Sequence, residues 1–138
     1  MTYLVERLAQ LRRHLDHLRA LRPRVPHAAA LRSDLSLHND VLFSLLTVTQ
    51  LVIDIAGELA GRKGLRFEDY TEAVRALEAY DEFPVALVDR LARLPGFRNV
   101  LIHEYVGLDL DRAVAALDAL EPIEDFVRAV AGIVERWG

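Results

Sequence analysis

Leu4, Leu8, Leu11, Leu15 and Leu18 recur at steps of four and three, so they share one stripe of a helix predicted over about residues 2–22. Arginines occupy its opposite face, and Pro23 and Pro26 close it. Val25–Asp34 reads as a connector with room for one short turn, and Ser36 is the expected cap of a second helix from about Leu37 to Leu59. That helix is apolar almost all round, through Val41, Leu42, Phe43, Leu45, Leu46, Val48, Leu51, Val52, Ile53 and Ile55. Such a pattern belongs to an element contacted on several sides, so this helix is expected at the centre of the fold, ended by Gly61 and Gly64.

Asp69 and Thr71 signal the start of a third helix with Ala73, Val74 and Leu77 inward. Pro84 is expected to open a fourth at its first position, with Val85, Leu87, Val88, Leu91 and Leu94 as its inner face. Pro95-Gly96 interrupts the pattern, and a new short helical piece is expected across residues 97–105. Asp109 or Asp111 then caps a last helix predicted to reach Trp137, with Val114, Leu117, Leu120, Val127, Val130 and Val134 inward and a kink expected at Pro122. Leu and Ala supply 42 of the 138 residues, and the apolar spacing is helical rather than alternating. The predicted fold is therefore all-α, an up-and-down bundle of four to five helices forming a single domain over residues 1–138.

Composition narrows the chemistry. There is no cysteine, which excludes disulfide frameworks, thiol nucleophiles and cysteine-ligated metals. No apolar run approaches eighteen residues, and Glu6 and Arg7 stand where a signal peptide needs its apolar stretch, so a soluble, cytoplasmic chain with no membrane partner is expected. The formal net charge is −4, but residues 1–32 carry seven arginines against Glu6 and Asp16, leaving +5 there and −9 on the remainder. This polarity fits two readings, a solvated face of the first helix or a basic patch that attracts a polyanion or an acidic partner.

Gly-rich phosphate loops, HExxH zinc motifs and GxSxG nucleophile elbows do not occur. His14 and His17 lie three apart on the first helix, but the local sequence supplies no third ligand, so no metal site and no cofactor are expected. His27 and His38, in or beside the connector, receive no role. The polar set that stands out is Arg98, Asn99, His103 and Tyr105 within FRNVLIHEY. At about 100° per residue, and with Arg98 as zero, Asn99 falls at about 100°, His103 at about 140° and Tyr105 at about −20°. Arg98 and His103 are then too far apart to touch within one ideal helix. They converge if Pro95-Gly96 distorts the first turn at Arg98, or if a second subunit supplies the partner. An imidazole that exchanges protons near neutral pH and a permanently charged guanidinium can together cleave a phosphodiester without a metal, with Asn99 orienting or donating.

The string Arg98-x4-His103-x-Tyr105, with Asn99 directly after the arginine, resembles the motif of the HEPN superfamily, in particular the HepT-type toxins of toxin–antitoxin pairs. The likeness extends to the long apolar helix with Gln50 and Ile53-Asp54, to DYTEAVRAL at 69–77 and to GLDLDRAVAAL after the motif, covering roughly residues 33–137. It implies a HEPN-like all-α homodimer with one composite site at the subunit interface. It also implies a metal-independent endoribonuclease acting on cellular RNA and silenced by a minimal nucleotidyltransferase antitoxin that adenylylates the motif tyrosine. Carried onto this chain, Arg98 and His103 become the catalytic pair, Asn99 a supporting group and Tyr105 the modification site. Asp54 matches an acidic position on the second helix, either facing the site or serving as a half-buried helix polar residue. The alternative from another class is a non-catalytic helical scaffold or substrate-binding partner of a nucleotidyltransferase. That reading leaves the four intact motif residues without a use, whereas the acidic balance of residues 33–138 weighs against a nuclease.

Overall fold

Asp34 sets the start of the central element. Its carboxylate accepts the Leu37 amide at 3.1 Å, so Asp34 rather than Ser36 caps the longest helix, and Ser36 lies inside its first turn. The computed structural model describes residues 1–137, in which α1 spans Thr2–Leu21, α2 Ala28–Ser33, α3 Leu35–Arg62 and α4 Tyr70–Arg75. Further along, α5 spans Val85–Leu91, α6 Leu94–His103, α7 Leu110–Asp118 and α8 Glu121–Trp137. Short 3-10 turns follow α1 and α4. Among the described residues every regular element is helical, as the apolar spacing predicts, although several helices are short pieces rather than full bundle members.

α3 is the axis of the fold, with α1, α2, α4, α6 and α7 packed around it and α8 closing against α1 and α5. Val41, Leu42, Leu45, Val48, Val52, Ile55 and Leu59 of α3 are buried, as is the whole α1 leucine stripe. Each such side chain contributes on the order of 1.5–3 kcal/mol through burial, which outweighs the weak preference of β-branched residues against helix. By length and composition α3 could cross a membrane. Yet 61% of its most apolar stretch is covered by the other helices, the pattern of a core helix.

Three local expectations are corrected, and one alternative is decided. Val85, expected inward, is 62% exposed, because Pro84 is the N-cap itself and the inward face begins at Leu87. α6 begins at Leu94, with Pro95 in its first turn, where a missing N–H costs nothing; Pro95-Gly96 therefore starts the motif helix instead of interrupting it. The last helix is two helices, since the chain breaks at Ala119-Leu120 and Pro122 lies in the first turn of α8 rather than at a kink. Of the two candidates for its start, Asp109 is the cap of α7, accepting the Asp111 amide at 3.0 Å.

The end of α3 steers the chain toward the motif helix. Gly61 remains helical, and Gly64 takes φ +69° just past the cap, with Leu65 N–H reaching back to Ala60 at 3.0 Å. This left-handed closure turns the chain so that Phe67 lies against Gly57, where an added Cβ would meet the ring at 3.3 Å. The loop then delivers Asp69, whose carboxylate caps α4, and Tyr70 beside α6.

Candidate active site

α3 turns one mixed stripe outward, with the polar Asn39, Gln50 and Asp54 and the apolar Phe43 and Leu46 at helical spacing, and α6 packs against α3. Arg98, in the second turn of α6, reaches across to this stripe. Its Nε donates to Gln50 Oε1 at 2.6 Å, and Gln50 Nε2 donates to Asp54 Oδ1 at 2.7 Å. Arg98 Nη1 donates to Asn99 Oδ1 at 3.0 Å, and the guanidinium carbon stands 5.2 Å from the centre of the Tyr70 ring. The arginine is thus held on three sides. Among the described residues its Nη2 has no protein acceptor, and the arginine lines a groove together with Leu46, Gln50, Asp54 and Ile102.

Of the two readings of Asp54, the structure gives a combination: it is half-buried, and it meets Arg98 only through Gln50. Asn99 is exposed and already engaged by its neighbour. His103 is the last residue of α6, exposed, and joined to Arg98 by no hydrogen bond among the described residues. Because Arg98 sits in regular helix rather than a distorted first turn, the two residues keep their angular separation and about 7.5 Å of axial rise. One of the two routes to convergence is thereby closed within a single chain.

Tyr105 departs from the helical projection altogether. α6 ends at the Glu104 cap, so Tyr105 lies beyond the helix, and the angle of about −20° does not describe it. Its hydroxyl instead donates to Asn39 Oδ1 at 2.9 Å on α3, and its ring meets His38 edge-on at 5.8 Å between centres. His38, assigned no role from sequence, is thus part of the tyrosine's surroundings, with its Nδ1 3.1 Å from the same Asn39 oxygen. Asn39 and Tyr70 escaped the sequence reading as well. Their partners lie 66 and 28 residues away in the chain, and no local spacing encodes that proximity. Gln50 had a signal only in its place on the long apolar helix.

Elsewhere, His17 Nε2 lies 2.8 Å from Asp40, joining the last turns of α1 to the start of α3; among the described residues His14 and His17 belong to no cluster that could hold a metal. Two of the seven arginines of residues 1–32 are drawn into ion pairs with other helices. Arg19 pairs with Glu124 at 2.8 Å and Arg22 with Asp118 at 2.7 Å, so part of the basic face ties α1 to α8 and to the end of α7. Such half-exposed pairs contribute about 0–1 kcal/mol each.

Apolar side chains are exposed on the elements that carry the motif site: Phe43 of α3 is 64% exposed, Ile102 of α6 40%, and Val106, just past the end of α6, 99%. The family described as ribonuclease HepT-like matches residues 11–130, which takes in the whole of this arrangement. The chain belongs to the HepT-like ribonuclease family. A putative RNase of Archaeoglobus fulgidus is 35% identical over 86 residues, a match covering 60% of this chain and 63% of that protein. The mRNA nuclease HepT of Shewanella oneidensis is 26% identical over 101 residues, covering 72% of this chain and 76% of that one. Among solved structures, a tri-AMPylated Shewanella oneidensis HEPN toxin in complex with MNT antitoxin superposes with a TM-score of 0.79 at 21% identity, over 94% of this chain and 96% of the other. A toxin–antitoxin structure with AMP-PNP gives 0.78 at 21% identity, over 92% and 96%. The HepT-like fold is therefore shared across the length of the domain.

Proposed function

We propose that this HepT-like chain is a metal-independent endoribonuclease, the toxin of a toxin–antitoxin pair, with Arg98 and His103 as its catalytic pair and Asn99 supporting Arg98. The observation that carries the reading is the braced Arg98 guanidinium, whose free Nη2 lies on the same short helix as an exposed histidine. In the reaction His103 takes the proton of a ribose 2′-OH, the 2′ oxygen attacks phosphorus and the 5′ oxygen leaves. Arg98 stabilises the charge that accumulates on the non-bridging oxygens. The leaving oxygen needs a second proton donor, which one chain's motif does not supply. A homodimer closed over Phe43, Ile102 and Val106 brings a second Arg98–His103 set to the same seam, with Asp54 and Gln50 bracing each arginine.

Silencing is assigned to Tyr105. A minimal nucleotidyltransferase antitoxin joins the Tyr105 hydroxyl oxygen to the α-phosphorus of ATP, and pyrophosphate leaves. The adenylyl group then places a bulky anion two residues from His103, where it repels RNA. The exposure of the tyrosine and the description of a fold relative as tri-AMPylated and antitoxin-bound support this reading.

The deciding experiment is cleavage of single-stranded RNA by the purified chain in excess chelator. Cleavage should persist, leave 2′,3′-cyclic phosphate ends and fall by about 10²-fold or more in His103→Ala with the fold intact. A loss smaller than tenfold removes His103 from proton transfer. Absence of any cleavage by the wild-type chain, beside stable antitoxin binding, establishes the scaffold reading instead.

A further inference from the structure

A second groove opens beside Tyr70 and Asn99, the two residues that flank Arg98 away from α3. It measures about 650 Å³ and runs between the first two turns of α6, at Pro95, Gly96 and Asn99, and the segment of Glu68, Asp69 and Tyr70 that leads into α4. The Tyr70 ring lines it, remains 42% exposed, and bears the Arg98 guanidinium 5.2 Å from its centre. Gly96 leaves the opposite wall open, with nothing within 4 Å of where a Cβ would stand.

Charge decides what can enter. A phosphate is drawn to the Arg98 guanidinium, which lines the neighbouring groove across Tyr70, and is repelled by the carboxylates that line this one. Asp69 is occupied in capping Glu72, at 2.8 Å, and Glu72 in turn accepts the Glu68 amide at 2.7 Å. The Glu68 carboxylate has no protein partner among the described residues, so it presents acceptor oxygens only. The fitting occupant is flat and uncharged, offers a π-face to Tyr70 and N–H donors to Glu68, and is joined to a phosphate. A nucleotide of single-stranded RNA has these properties together, because unpaired bases can splay out and stack on an aromatic ring while their edges remain free.

We propose that this groove is a nucleobase subsite. The phosphate lies on Arg98, the adjoining base stacks on Tyr70, and Glu68 accepts a hydrogen bond from an exocyclic amine, which selects adenine, cytosine or guanine over uracil. The subsite gives a substrate preference to the nuclease reading and rests on it for cleavage, but base binding can be measured without catalysis.

The test uses the full-length chain and a 2′-O-methyl RNA hexamer, which cannot be cut, carrying one 2-aminopurine whose fluorescence falls on stacking. Binding should quench the probe, Tyr70→Leu should weaken quenched binding by about tenfold, and Tyr70→Phe should restore it, in line with the usual worth of base–aromatic stacking. Replacing the probe base by an abasic residue should weaken wild-type binding as much as Tyr70→Leu does, with no further loss when the two are combined. Glu68→Gln should narrow the preference over uracil. If Tyr70→Leu weakens base-bearing and abasic oligomers alike, the ring only braces Arg98 and the proposal falls; it falls equally if wild-type protein gives no quenching. Quenching without cleavage of the matching natural RNA would retain the base subsite and overturn the nuclease reading alone.

Discussion

Replacing Gln50 by leucine tests whether the aim of Arg98 is set from α3. The substitution keeps side-chain volume but removes two contacts at once, the 2.6 Å bond from Arg98 Nε and the 2.7 Å bond to Asp54. A hydrogen bond to a charged group is worth about 1.5–3 kcal/mol net. Both contacts are half-exposed, so water replaces the lost partners and the lower end applies, about 1.5 kcal/mol for the Arg98 bond. If that energy serves orientation, kcat/KM on single-stranded RNA should fall about tenfold, at about 1.4 kcal/mol per decade. Stability should fall by less than about 1 kcal/mol, because neither stranded group is sealed from water. Asp54→Asn keeps an oxygen to accept Gln50 Nε2 and loses only the charge, so it should cost a few-fold at most. Steady-state cleavage and thermal unfolding, run side by side on both variants, separate the effects. Unchanged kcat/KM in Gln50→Leu, beside a large loss in Arg98→Lys, would show that Asn99 and Tyr70 hold the guanidinium unaided and would refute the relay.

Other parts of the molecule give three further expected outcomes. Phe43→Asp should turn a dimer into a monomer by sedimentation and abolish cleavage while α3 stays folded, since the ring is 64% exposed and a charge there spoils only an apolar seam. Tyr105→Phe should keep cleavage but gain no AMP by intact-mass spectrometry when incubated with a cognate nucleotidyltransferase and ATP, and should stay toxic beside that antitoxin. Tyr80 is buried and its hydroxyl donates to the Leu59 carbonyl at 2.6 Å; burial raises its pKa, partly offset by Arg62 and Arg136. Because the folded pKa is the higher one, its contribution is complete below the ordinary tyrosine value of about 10 and is lost as pH rises through the raised folded value. Tyr80→Phe should therefore cost about 1–2 kcal/mol near neutral pH in urea unfolding and blunt the alkaline decline.

Local periodicity carried most of the fold that could be read from the chain alone, and capping residues and the short motif carried the rest. The near all-round apolarity of α3 marked it as central because packing on several sides leaves only a narrow polar stripe, and the α1 stripe was legible for the complementary reason. Boundaries failed where two residues compete for one role. Asp34 and Ser36 both suit an N-cap, and the extended backbone at Asp34, φ −138° and ψ 101°, decides between them. The α7–α8 break carries no glycine, and Pro122 marked the place but not whether the chain would kink there or restart. For the site, Arg98 and His103 were identifiable as chemistry. Their surroundings were not, since Gln50, Asn39 and Tyr70 approach them only through the packing of α3 and α4 against α6 and the segment just beyond it.

The same packing divides the site into a fixed half and a loose half. Arg98 lies mid-helix with side-chain contacts from both α3 and α4, so its backbone and its guanidinium are both constrained. His103 stands at the last helical position, and Tyr105 comes after the cap, held to α3 through Asn39 and flanked by the almost fully exposed Val106. Residues past a helix end lack the i to i−4 bonds that hold a helix interior, so this segment can shift at low cost. A modification on Tyr105 must break or bend the Asn39 contact, and the displacement then falls on the segment that carries His103 while Arg98 stays in place. Adenylylation would thus act on the proton-transfer group as well as on RNA approach, and it would do so without unfolding the helix that anchors the arginine.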